Sequence, residues 1–84
     1  MEQARITVQV KLFATLRRQF PDLGIGEAMP VELPGDSTVD DLLEAMDLPR
    51  KQVKIIFVDG IVRKEGFVLS DGNVVGLFPP VGGG

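Results

Sequence analysis

One stretch of this chain has the period of a helix, and it limits what the rest can become. Val39, Leu42, Leu43 and Met46 fall at i, i+3, i+4 and i+7, a single apolar stripe. Thr38 stands where it can cap the free N–H groups of the first turn. Asp41, three residues on, occupies the reciprocal position of a capping box. Asp40, Asp41 and Glu44 crowd the positive end of the helix dipole, which accounts for them without assigning acid–base chemistry. Leu48-Pro49 stops the helix. A single striped helix must lay its apolar side on something broad, so the predicted architecture is α+β, one sheet with one helix on a single face.

The strands of that sheet are legible as alternation. Ile6, Val8, Val10 and Leu12 point one way, and Arg5, Thr7, Gln9 and Lys11 the other. Phe13 breaks the alternation and lands on the polar face. Residues 14–20 wind into a turn or short helix before Pro21. Residues 21–30 hold Asp22, Gly24, Gly26 and Pro30 and form a loop. A second strand over residues 29–33 should pair antiparallel with the first. A third covers residues 53–58, Asp59-Gly60 is a hairpin turn, and residues 61–63 return as a short strand. After the polar loop 63–66 and the turn 70–73, residues 74–78 form the last strand. The sheet should therefore have four to five strands.

The chain closes on Leu77-Phe78-Pro79-Pro80-Val81-Gly82-Gly83-Gly84. Two prolines remove two N–H donors, so the sheet ladder cannot continue through them. Three glycines bury nothing and are free in φ and ψ. The expected object is a body over residues 1–78 and, over 79–84, a stiff stem and flexible thread tipped by the Gly84 α-carboxylate. Such a thread fits a narrow channel where a side chain would clash.

Composition narrows the chemistry further. The 84 residues include no cysteine and no histidine. That excludes disulfides, thiolate or imidazole metal sites, cysteine nucleophiles and Ser-His-Asp catalysis, so the chain is not expected to be catalytic alone. Gly24-Ile25-Gly26 lacks the third glycine of a dinucleotide fingerprint, and there is no P-loop. Net charge is −3, and residues 19–49 contain no Lys or Arg at all. This balance speaks against nucleic-acid binding. Apolar runs are too short for a transmembrane helix, the first residues carry no signal-peptide pattern, and the lack of disulfides fits a cytoplasmic protein.

Read together, several segments resemble the β-grasp, ubiquitin-like sulfur carriers, the group of the small subunit of molybdopterin synthase and the thiamine-biosynthesis sulfur carrier. The resemblance rests on Val10-Lys11-Leu12-Phe13-Ala14-Thr15-Leu16-Arg17, on Ser37-Thr38-Val39-Asp40-Asp41-Leu42-Leu43, and on Val58-Asp59-Gly60. It continues through Leu69-Ser70-Asp71-Gly72-Asn73-Val74 and Phe78-Pro79-Pro80-Val81 to a terminal Gly-Gly. The Pro-Pro-Val stem and the Phe-Ala-x-Leu-Arg motif are closer to the molybdopterin branch. Three departures stand out. The family turn is usually Asp-Gly-Asp, and here its last residue is Asn73. The Val-x-Gly turn more often has Asn where this chain has Asp59. The tail has three glycines rather than two after a spacer residue.

The resemblance implies a carrier cycle. An adenylating enzyme using ATP and Mg²⁺ activates the Gly84 carboxylate, a persulfide donor converts it to a thiocarboxylate, and the sulfur goes to an acceptor such as the large subunit of molybdopterin synthase. No cofactor is bound by the chain itself. Pro80, Val81, Gly82 and Gly83 are the implied tail-recognition residues, and the alternatives are conjugation of Gly84 to other proteins or sulfur carriage for thiamine or tRNA thiolation. The resemblance also implies a docking surface. Val75 and Leu77 should face the helix, turning Val74 and Phe78 outward with Gly76. Phe13 points out from the neighbouring strand, and Ile61 or Val62 completes an apolar patch.

Overall fold

The computed structural model describes residues 4–24 and 26–80. The alternating stretch forms β1, Arg5–Leu12, with every second residue from Ile6 onward buried. β2, Ala28–Pro34, pairs antiparallel with it, Val8 opposite Val31 and Ile6 opposite Leu33. Helix α1 covers Val39–Ala45. β3, Ile55–Val58, and β4, Ile61–Val62, are joined by Asp59-Gly60. β5, Val74–Phe78, runs parallel to β1 and antiparallel to β3. The sheet order is β2-β1-β5-β3-β4, so the last strand in sequence is the middle one in space. One mixed five-stranded sheet with one main helix on a single face is the expected architecture.

The helix stripe does what its period demands. Val39, Leu42, Leu43 and Met46 are buried against Val8, Val10 and Leu12 of β1, Ile56 and Val58 of β3, and Val75 and Leu77 of β5. The predicted capping box is present. Thr38 Oγ1 accepts from the Asp41 N–H at 3.3 Å, and Asp41 Oδ2 accepts from the Thr38 N–H at 2.9 Å. The loop before β5 completes the cap. The Val39 and Asp40 N–H groups donate to the Phe67 and Glu65 carbonyls, both at 3.0 Å. The first-turn donors are thus occupied within the chain, which leaves no anion site at this helix end. Arg50 ties the same loop down from the other side. Its guanidinium pairs with Glu65 and lies 3.6 Å from Asp40 Oδ1. The backbone N–H of Glu65 and then Arg50 hold the Glu65 carboxyl below its ordinary range.

Three strands differ from the expected bounds, β2 by one residue at each end, Ala28–Pro34 against 29–33. Residues 53 and 54 do not join the ladder as strand, because Arg50–Gln52 makes a 3₁₀ turn after Pro49 and β3 starts only at Ile55, opposite Phe78. Val53 is nonetheless buried, and the Lys54 N–H still donates to the Phe78 carbonyl at 2.7 Å. The return strand ends at Val62, although the Arg63 N–H donates to Ile56 O at 2.9 Å. The Arg63 guanidinium then lies 4.6 Å from the centre of the Phe67 ring, a cation–π contact. Residues 14–20 resolve as a 3₁₀ helix, Ala14–Gln19.

The two departures at positions 59 and 73 turn out to be one feature. Asn73 Nδ2 donates to Asp59 Oδ2 at 2.7 Å, and the Val74 N–H donates to Asp59 Oδ1 at 2.9 Å. Asn73 Oδ1 meanwhile accepts from the Ser70 N–H at 2.7 Å. Against the residue types that the resemblance implies, Asn at 59 and Asp at 73, this chain has the acceptor at 59 and the donor at 73. Asp59→Asn alone would oppose two amide N–H₂ groups, and Asn73→Asp alone would oppose two carboxylates. Each single change is expected to lower stability by about 1–2 kcal/mol. The double swap restores the bond, so a denaturant-melt cycle should show the double variant near wild type. Costs that simply add would rule the pairing out.

Candidate functional site: an aromatic face beside the tail root

The site is built where β5 ends. Leu77 O accepts from the Phe13 N–H at 3.2 Å and Phe78 O accepts from Lys54 N–H at 2.7 Å, one from each flanking segment. Pro79 and Pro80 follow, with no N–H to offer, and the chain leaves the sheet between the two 3₁₀ turns. Pro80 is exposed. Val81, Gly82, Gly83 and Gly84, expected to form the tail and its reactive end, lie outside the described residues.

Register decides which side chains share the sheet face away from the helix. Val75 and Leu77 are fully buried under α1, as expected. Val74, Gly76 and Phe78 therefore face outward. Directly opposite residues share a face, so Ile55 joins Phe78 and Phe57 joins Gly76. Val62, opposite Phe57, lies on this face too. Ile61 does not. It sits opposite Val58, whose own partner is buried Val75, and so belongs to the helix side of the sheet, beyond the helix's cover. Of the two β4 candidates, Val62 completes the patch.

Three phenylalanines make its centre. The Phe13 and Phe78 rings stack with centroids 4.2 Å apart and planes 1° from parallel. Phe57 meets Phe78 edge-on, 5.5 Å away at 73°. The edge-on pair is a favoured aromatic geometry. Gly76 lies beneath them, where a Cβ would stand 3.4 Å from Phe13 Cε2, at the near edge of ordinary van der Waals contact. Around the aromatic centre Ile55 is 38% exposed, Val74 37% and Val62 61%. Phe57 and Ile55 were not among the expected docking residues. The signal for them is the strict alternation of β3, in which buried Ile56 and Val58 leave Ile55 and Phe57 to the other side.

Nothing in this face suggests chemistry of its own. Among the described residues no group of acidic side chains could hold a metal ion. No helix among them is long and apolar enough to cross a membrane. The face offers shape and apolar area next to the root of the tail.

Comparison with known proteins settles the family. The ThiS family model matches residues 10–84, from the middle of β1 to the last glycine. The chain belongs to the ThiS family. The fold of this ThiS-family member is shared with solved structures. A Haloferax volcanii protein of 22% identity superimposes with a TM-score of 0.77, covering 100% of this chain and 92% of that one. A candidate molybdopterin converting factor subunit 1 from Pyrococcus furiosus is 30% identical, with a TM-score of 0.70 and coverages of 90% and 99%. SAMP1 from Haloferax volcanii is 27% identical, with a TM-score of 0.67 and coverages of 93% and 99%. No curated protein sequence matches the chain. The β-grasp, ubiquitin-like resemblance is thus borne out, and with it the sulfur-carrier or modifier type of protein.

Proposed function

We propose that the chain is a sulfur carrier whose Gly84 carboxylate is the group that reacts. The observation that carries this reading is the reach of the family match through Gly84, on a chain whose last strand delivers its stem beside an exposed aromatic face. In the proposed cycle a partner enzyme directs the carboxylate oxygen onto the α-phosphorus of ATP, with Mg²⁺ on the phosphates, and pyrophosphate departs. The terminal sulfur of a persulfide then displaces AMP from the acyl carbon. A thiol cleaves the resulting S–S bond by two-electron reduction and leaves the thiocarboxylate. A free carboxylate is a poor acyl donor, and conversion to the mixed anhydride with AMP supplies a good leaving group. The absence of cysteine means that no thiol of this chain competes for the activated acyl group.

For the destination of the sulfur, molybdopterin or tungstopterin synthesis is the preferred assignment. It is supported by the likeness to the Pyrococcus furiosus protein and by the Phe-Ala-x-Leu-Arg and Pro-Pro-Val motifs. The large subunit of a molybdopterin synthase is then the acceptor that covers the aromatic face. A second use has an observation of its own. The likeness to SAMP1, a small archaeal modifier protein, favours joining of Gly84 to amines on other proteins. Intact mass after incubation with a matching adenylating enzyme, ATP and a persulfide source tests the first reading. The expected change is replacement of one oxygen by sulfur. An unchanged mass alongside a ladder of Gly84-dependent conjugates in cells would transfer the assignment to the modifier reading.

A further inference from the structure

The groove at the tail root has a charge that the carrier cycle does not use. It is an open groove of about 550 Å³ lined by Thr15, Leu16, Arg18, Gln19, Lys51, Gln52, Pro79 and Pro80. Its two walls are the 3₁₀ turns Ala14–Gln19 and Arg50–Gln52, joined by a hydrogen bond from Gln19 Nε2 to Gln52 Oε1 of 2.8 Å. Two cations line it and no carboxylate does. Both cations are exposed, and among the described residues the ion pairs involve only Arg5 and Arg50 as bases. The rest of the surface has the opposite bias. Residues 19–49 hold eight Asp and Glu and no Lys or Arg, and the chain as a whole carries −3. A cationic groove on an acidic protein, placed at the root of the tail, is positioned to be met by something.

What meets it follows from reach. The four residues beyond Pro80 span at most about 14 Å even fully extended. An enzyme that acts on Gly84 must therefore bring the mouth of its tail channel down to the stem, and the stem prolines are part of this groove. We infer that the enzyme receiving the tail presents carboxylates at that mouth, set against Arg18 and Lys51. The inference rests on the carrier reading. Carboxylates there pair with the two cations of the groove, and they repel the acidic helix side, so the chain arrives tail first. Such rim pairs act on encounter and orientation more than on tightness.

The test is ATP–pyrophosphate exchange by the matching adenylating enzyme, with the full chain as substrate. Arg18→Glu/Lys51→Glu is compared with Arg18→Gln/Lys51→Gln and wild type, at low and high salt, after thermal melts confirm equal folding. At low salt the reversed pair is expected to raise KM for the chain about 10- to 100-fold, with the neutralised pair in between, and added salt should narrow the gap. If wild-type chain supports exchange but both variants match its KM at low salt, the acidic mouth is wrong and the carrier reading stands. If wild-type chain with an intact Gly84 supports no exchange, the carrier reading falls and takes this inference with it. Sedimentation at low salt covers the other occupant. Wild-type self-association, lost in the reversed pair while KM stays put, would assign the groove to the acidic side of a second copy and overturn the inference.

Discussion

A chain extended by one residue after Gly84 is expected to accept no sulfur while folding and melting like the wild type. One added residue moves the acyl carbon out by about 3.6 Å. Adenylation requires the attacking oxygen near the α-phosphorus with its orbital aligned, and a displacement of 1 Å can cost about 100-fold in rate. Loading should therefore fall by at least about 100-fold, to the floor of a mass measurement. The same residue added before Met1 should change nothing. β1 and β5 are parallel neighbours, so the start of β1 lies at the opposite end of the sheet from Phe78 and the stem. Intact-mass analysis of both extended chains, run with pyrophosphate exchange, checks the contrast. Normal loading of the C-terminally extended chain would remove Gly84 from the chemistry.

The second large effect belongs to the aromatic face. Phe78 is stacked on one side by Phe13 and met edge-on by Phe57, and it is the last residue before the stem. A rigid aromatic centre ringed by exposed apolar side chains has the make-up of a binding hot spot. Phe78→Ala is expected to weaken binding to the large subunit or the adenylating enzyme by about 2–3 kcal/mol, roughly 30- to 150-fold. Phe57→Ala should show a smaller loss in the same direction, since it frees the Phe78 ring on one side. Ile61→Ala is the control. It trims a side chain that is 53% exposed, yet on the other face of the sheet, and should leave affinity at the wild-type value. Titration calorimetry with each variant separates the two faces. Equal losses for Phe78 and Ile61 would mean that no particular face docks.

How much of this was readable beforehand depended on how local the signal was. The helix and its cap were readable because period and capping box both lie within nine residues, from Thr38 to Met46. The β3–β4 turn was readable from Asp59-Gly60, which adopt φ of +52° and +83°. The start of β3 was not. An apolar run gives no hint of where its ladder begins, and that point is set by where β5 stops. Ile61 is more instructive. A two-residue turn already forces Val58 and Ile61 to be opposite, hence on one face, so the information was in the turn and not in the hydrophobicity. Phe57 needed the β3–β5 register, and the Asp59–Asn73 exchange needed two turns brought together by the sheet. The aromatic face is a tertiary object, assembled from β3, β4, β5 and the residue after β1, which no single window of sequence contains.

The position of β5 in the middle of the sheet has a mechanical meaning. Tension on the C-terminal end pulls along this strand, with β1 bonded on one flank and β3 on the other. The ladders on both flanks are then loaded together, whereas a strand at the rim would be held from one side only. A pull on the tail therefore reaches the body through two ladders at once.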